Sequence, residues 1–415
     1  MELFRLEHKK LWRKNTTRIC VLLCFVYCVV LGSVLVYQWG VFGSRKDNLG
    51  GRNFDGYVNI RNCQAYFSKY GELTDETLQA WVRDYQRLNA ALKKEKETQG
   101  AENKETRQTY QNAGWETVNS MISTLYPELE QEEMRYVMIM SCYVDPDKLT
   151  GLYGRREKAL NTFLDVSGQT GGERAYLLQI NEKVQEPFSW KWVEGWSDVL
   201  GSMLADLGTV MALFLAIVLS SLFAGEWHDN TSALILTTKN GWRKLALAKV
   251  FTGLSFALEL FGLLAAGMIV SQLVFLGTEG WDMPIQTIKM IAIAPMNMLQ
   301  AEIYEYAFTL LGVVGLAGVA MLISAICKNH VLALLLSLAV AYGPKTVKDF
   351  VPYWLEKAFD LLPLVGSSTD IFRTNTFCLF GHYIWSPYLL IWVPVLIGIL
   401  CMPPAVRGWA RRMRV

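Results

Sequence analysis

The 415-residue chain has only four histidines, His8, His228, His330 and His382, and none is spaced to share a metal with another. It contains no H-E-x-x-H pair, the spacing that sets two imidazoles on one helix face around zinc. It contains no G-x-S-x-G elbow, so the strand-turn-helix that presents a serine nucleophile is missing. A G-x-x-x-x-G-K-[ST] phosphate loop is also absent; Gly343-Pro344-Lys345-Thr346 lacks the upstream glycine and the Gly–Lys order that let backbone amides cradle phosphate. ATP hydrolysis by this chain on its own is therefore not expected. Its eight cysteines include no C-x-x-C pair. Net charge is only +2, which leaves no bulk basic footprint for nucleic acid.

What the chain has in quantity is apolar sequence. Hydrophobic residues make up 52% of it and mean hydropathy is +0.20, values that point to a membrane protein. A spanning helix needs roughly 20 mostly apolar residues. Six stretches qualify: 19–39, 199–223, 245–276, 307–326, 331–347 and 384–402. The fifth is the weakest, because Gly343, Pro344 and Lys345 interrupt its far end. The first has a charged start, but its apolar run exceeds a signal peptide's and no A-x-A-like site follows, so it reads as an uncleaved anchor.

Cationic clusters orient the spans. They comprise Arg5, Lys9, Lys10, Arg13, Lys14 and Arg18 at the start, and Lys239, Arg243, Lys244 and Lys249 between spans two and three. Lys328 lies between spans four and five, and Arg407, Arg411, Arg412 and Arg414 close the chain. With six spans all of these fall on one side, the cytoplasm. The expected fold is an all-α, multi-pass protein of the cell membrane with both termini cytoplasmic. Residues 1–18 form an amphipathic helix, 19–39 the first span, 40–198 a mainly helical extracytoplasmic domain, and 199–415 the remaining five spans.

Within 40–198, Thr74 is an expected N-cap before Asp75 and Glu76, acids that suit a helix start. Apolar residues at helical spacing predict helices around 75–92, 110–125, 134–138, 149–164 and 176–184. This domain could be a receptor or gate, or a cap that only shapes an exit path. Phe188, Trp190, Trp192 and Trp196 are expected to form an aromatic belt at the membrane interface. A Cys63–Cys142 disulfide is open to the chain, although sequence does not bring the two together.

Two acids fall inside the expected spans, Asp206 and Glu259. Intramembrane acids usually face an interior or a water path, so both are candidates for a translocation path, with hydrogen-bonded packing as the alternative. Cys20, Cys24 and Cys28 form one stripe of the first span, expected to pack on a neighbouring helix. Gly312, Gly315 and Gly318 recur every third residue and would admit another helix closely.

The connection after span two, 224–248, is longer than a turn requires. Glu226, Trp227, His228 and Asp229 open it, and Thr231 to Thr238 can form a short helix displaying Leu234 and Leu236. Asn240-Gly241 supplies a turn. Such a helix could dock into a groove of another protein, or lie on the lipid. The pattern Phe223-x-x-Glu226-x-x-x-x-Thr231, then Leu236-Thr237-Thr238-Lys239, Gly241-x-Arg243 and Ala248-Lys249, resembles the type-two ABC transporter permease family. The N-terminal FRLEHKKLWRK is similar to that family's connecting helix. GLYGRREKAL from Gly151 and NEKVQEPFSWKWVEGW from Asn181 are similar to stretches that precede span two in a subgroup with a large outer domain. FVPYWLEKAFDLLPLVG, with its prolines, could serve as the family's outer re-entrant segment.

The resemblance implies an exporter's permease subunit that binds no cofactor itself. ATP and Mg would sit on a separate ABC ATPase subunit, and a second permease copy or a homologous permease would complete the pair. Loop residues Glu226, Trp227, His228, Asp229, Thr231, Leu234, Leu236, Thr237, Lys239 and Arg243 would couple the ATPase to the spans. Two other readings compete. A membrane sensor would use the outer domain to detect a ligand such as an antimicrobial peptide. A membrane-embedded enzyme would need clustered catalytic residues in the spans, where only the isolated Asp206 and Glu259 stand.

Overall fold

The computed structural model describes residues 2–42, 56–99, 116–129, 140–228 and 243–412. Among the described residues, five helices are long and apolar enough to cross a membrane: Glu194–Trp227, Arg243–Phe275, Met298–Ile326, His330–Phe350 and Ser386–Trp409. A further pair, Glu2–Arg13 and Asn15–Leu31, is bent by 69° and passes the same test only when taken together. The chain is a multi-pass helical membrane protein.

Helix α1 covers Glu2–Arg13 and α2 covers Asn15–Phe42. The inserted domain then supplies α3 (Gly56–Phe67), α4 (Asp75–Gln99), α5 (Glu116–Leu125), α6 (Leu152–Val166) and α7 (Gly171–Asn181). Thr74 caps α4 as its sequence predicts: Thr77 N–H donates to Thr74 Oγ1 at 3.2 Å, while Thr74 N–H donates to Thr77 Oγ1 at 2.8 Å. The expected helix around 134–138 lies outside the described residues. A two-residue ribbon, β1 (Glu72–Leu73) against β2 (Phe188–Ser189), ties the start of this domain to its end.

The membrane helices that follow are α8 (Leu204–His228), α9 (Arg243–Phe275), α10 (Met298–Ile326) and α11 (His330–Val347). Short helix α12 (Tyr353–Asp360) and the antiparallel ribbon of β3 (Thr376–Leu379) with β4 (His382–Trp385) precede α13 (Ser386–Arg412). Several ends differ from expectation. The last span starts at Ser386 because Ile384 and Trp385 belong to β4. The span expected from 307 begins at Met298, where Asn297 and Gln300 form a reciprocal capping box. Pro344 stays within α11, so this helix continues past the expected interruption.

One apolar core runs from the inserted domain into the nearby ends of the membrane helices, and a second fills the other end of the bundle. The expected interfacial belt is instead part of the first core. Phe188, Trp190, Trp192 and Trp196 are all 3% exposed or less. The rings of Trp190 and Phe67 pack edge to face at 5.8 Å, and Trp196 Nε1 donates to the Glu279 carbonyl at 2.8 Å. These aromatics fill the junction with α3 instead of lying in headgroups, because partners from 60–85 and 276–298 cover them.

Arg156 fastens the inserted domain to the segment between α9 and α10. It is 2% exposed. Its donors reach the carbonyls of Met290 (2.9 Å) and Ala292 (3.1 Å), Asn181 Oδ1 (2.7 Å) and Glu186 (3.3 Å). Burial pulls the guanidinium below its ordinary pKa, and neighbouring Glu186 opposes that. Arg156→Met would leave two carbonyls and Asn181 without these donors. We expect it to cost about 3–5 kcal/mol and to open the 285–295 segment to protease while the membrane helices stay inserted. Limited proteolysis of membrane vesicles, compared with wild type, checks this.

The predicted cysteine stripe is buried: Cys20, Cys24 and Cys28 are each 4% exposed or less. Cys28 faces Gly267 of α9, and its thiol lies 3.7 Å from the Leu264 carbonyl.

Candidate functional site

A charged, largely buried cluster lies at the end of the bundle away from the inserted domain, where α1, α8, α9 and α10 meet. The sequence dictates this convergence locally. In α1, Leu3, Phe4, Leu11 and Trp12 share one face and turn it against α9, where Trp12 and Phe256 pack edge to face at 5.8 Å. Glu7 falls on that same buried face and brings a carboxylate with it.

Lys249, on the second turn of α9, is the hub. Its side chain is 2% exposed. The ammonium lies 2.8 Å from Glu7 and 2.8 Å from Glu226, and donates to the Leu222 carbonyl at 3.0 Å. Lys10 donates to the same Glu226 oxygen at 3.0 Å, and Lys14 donates to Ser221 Oγ at 3.0 Å. Two acids, Glu7 and Glu226, thus meet two cations, Lys10 and Lys249. Every acceptor of the Lys249 ammonium comes from α1 or the last two turns of α8. A buried ammonium is tolerated only when paired and hydrogen-bonded in this way.

The last turns of α8 are held from a third side. Ser324 Oγ of α10 accepts from the backbone N–H of Phe223 (3.0 Å) and Ala224 (3.2 Å), and donates to the Ser220 carbonyl (2.7 Å). A side chain inserted into a helix ladder marks a place where the helix can bend. It lies one turn before Glu226. Trp227 packs edge to face on Trp409 of α13 at 5.8 Å, with Lys328 Nζ 5.9 Å from its ring.

These contacts locate the sequence-predicted residues. Glu226, at the start of the connection, has a side chain only 5% exposed. Trp227 is half-buried and Arg243 opens α9 on an exposed face. His228 ends α8. Asp229, Thr231, Leu234, Leu236, Thr237 and Lys239 lie outside the described residues. Asp206 sits in the first turn of α8, exposed and remote in sequence from this cluster.

Glu259, offered as a path residue or as hydrogen-bonded packing, has a 39% exposed side chain that bonds to α1. Its carboxylate accepts from Trp12 Nε1 (3.0 Å) and Ser255 Oγ (2.8 Å), and His8 Nε2 lies 2.9 and 3.1 Å from its two oxygens.

Sequence reasoning passed over Glu302 and Glu305 of α10. They are 7% and 0% exposed, and receive Gln272 Nε2 at 3.3 Å and Ser368 Oγ at 2.9 Å respectively. Their signal was the three-residue spacing in AEIYEY, hidden because the span was expected to start beyond it. It also passed over Glu7, whose place on the apolar face of α1 was the available clue. Among the described residues, no group of three or more His, Cys, Asp or Glu could hold a metal ion. No protein-family model, curated protein or solved structure compared with the chain matches it.

Proposed function

We propose that this chain is the membrane-spanning permease subunit of an ABC transporter, an exporter whose ATP hydrolysis takes place on a separate ATPase subunit. In this reading α2 is the first of six spans and both termini lie in the cytoplasm with the cationic clusters. The inserted domain lies outside. The chain holds no cofactor; ATP and Mg belong to the partner, and a second permease copy or a homologous permease completes the path.

One observation carries the reading. Residues 229–242 join two helices whose ends, with α1, are bound together by Lys249, Glu226, Glu7 and Lys10. A force applied to that connecting segment would reach α8, α9 and α1 together. That suits a lever moved by a partner better than a loop that only turns the chain. Glu226 then acts inside the lever, while Leu234, Leu236 and their neighbours supply the docking surface.

The test is co-purification. A tagged wild-type chain extracted in mild detergent should bring an ABC ATPase with it, and Leu234→Asp with Leu236→Asp should lose that subunit while remaining folded and inserted. If cross-linking in intact membranes finds no ATPase on the wild type, the exporter reading fails and the sensor reading takes its place.

A further inference from the structure

Helix α1 has two unlike faces, and among the described residues only one is occupied. Leu11, Glu7, Phe4, His8 and Trp12 face α9 and α8. On the opposite side Arg5, Lys9 and Arg13 are exposed. Their i, i+4, i+8 spacing lines them up as one stripe over about two helical turns. None of the three has an ion-pair partner among the described residues. Leu6 lies beside the stripe and is 63% exposed. Glu2 is the one acid on this face.

The position of the helix matters as much as its charge. Only residue 14 separates α1 from α2, and the two axes meet at 69°. When α2 enters the bilayer, α1 must run close to its surface, with Arg13 within two residues of the entry point. A helix lying along a membrane surface ordinarily buries its apolar face in lipid. Here that face is spent on the protein. What remains for the bilayer surface is a row of guanidinium and ammonium groups beside one leucine.

We propose that the Arg5–Lys9–Arg13 face of α1 is a docking surface for anionic phospholipid headgroups of the bilayer. Charge complementarity selects this occupant. Three unpaired cations at the membrane surface match a row of lipid phosphates, and their long alkyl stems, with Leu6, can lie against the acyl boundary while the charges meet the headgroups. Lys10 is excluded from the set because it holds Glu226. The inference stands apart from the transport reading, since it depends only on α2 entering a membrane.

The test uses the full-length chain in its own membrane lipids. The protein is extracted in mild detergent at low salt, purified, and its retained phospholipids are separated by headgroup. Wild type should hold a higher ratio of anionic to zwitterionic phospholipid than the membrane it came from. In Arg5→Gln with Lys9→Gln and Arg13→Gln, the enrichment should disappear, with an expected loss of about fivefold in anionic-lipid retention for each cation removed. All three residues are exposed, so the variant should unfold at the wild-type temperature. A wild-type wash in high salt gives an independent reading, because screening should strip the same enrichment without any substitution. A wild-type ratio equal to that of the membrane overturns the proposal. So does an unchanged ratio in the triple variant, even if that variant loses a bound protein; the face would then belong to a protein partner.

Discussion

Lys249→Met is expected to be among the most damaging single substitutions in the chain. It leaves Glu7 and Glu226 facing each other's environment without the ammonium that lies 2.8 Å from each. The expected cost is about 3–5 kcal/mol, the range for removing one partner of a buried ion pair. Thermal unfolding in detergent should show a large fall in the midpoint. A double-mutant cycle makes the test specific. Glu226→Gln removes the charge that Lys249→Met strands, so the pair of substitutions should cost clearly less than the sum of the two singles. Additive costs would mean that the residues stabilise the chain separately and that the network is not one unit. The same cycle bears on function. If 229–242 is a lever, a folded double variant should still bind its ATPase yet couple ATP hydrolysis to transport poorly. Loss of binding instead would place Glu226 on the docking surface.

Parts of this arrangement are legible in the sequence, and the rest is not, for physical reasons. Long apolar runs identify spans because a bilayer imposes length and composition together. The Cys20–Cys24–Cys28 stripe and the Gly312–Gly315–Gly318 series were readable because helical periodicity assigns each to one face. Span ends were less readable. Hydropathy stops at a charge, but helices do not, so α10 continues back through Glu305 and Glu302 to its Asn297 cap. Aromatics near a span fit both a belt and a core; only the tertiary neighbours of Trp190 and Trp196 decide between them. The partners of Glu226 and Glu259 were least readable. Beside the nearer Lys249 and Ser255, each has partners on α1 more than 200 residues away, and no local pattern carries a separation of that size.

Gly318→Ala is the second substitution expected to have a large effect, and it isolates packing from charge. Among the described residues the most extensive helix pairing is α10 against α13, and it is built on backbone contact. A Cβ at Gly318 would lie 2.6 Å from the Gly398 carbonyl carbon, and one at Gly398 would lie 2.5 Å from Gly315 Cα. Neither helix has a flexible side chain there that could swing aside. The two backbones must separate, and Gly315, whose Cβ would lie 2.9 Å from the Pro394 carbonyl carbon, would lose its fit as well. Small residues permit such approach in membrane helices, where lipid offers no hydrophobic drive to hold them together. The expected loss is about 3 kcal/mol or more, at the upper end for overpacking one methyl. Gly343→Ala in α11 is the matched control: a Cβ there meets nothing within 4 Å. Alanine at that position should leave stability unchanged or raise it by up to about 1 kcal/mol through helix propensity. Unfolding midpoints of the two variants in the same detergent should therefore move in opposite directions, or one should move and the other stay. Equal losses would mean that both glycines matter for the helix backbone itself, and that close packing of α10 on α13 is not what Gly318 provides.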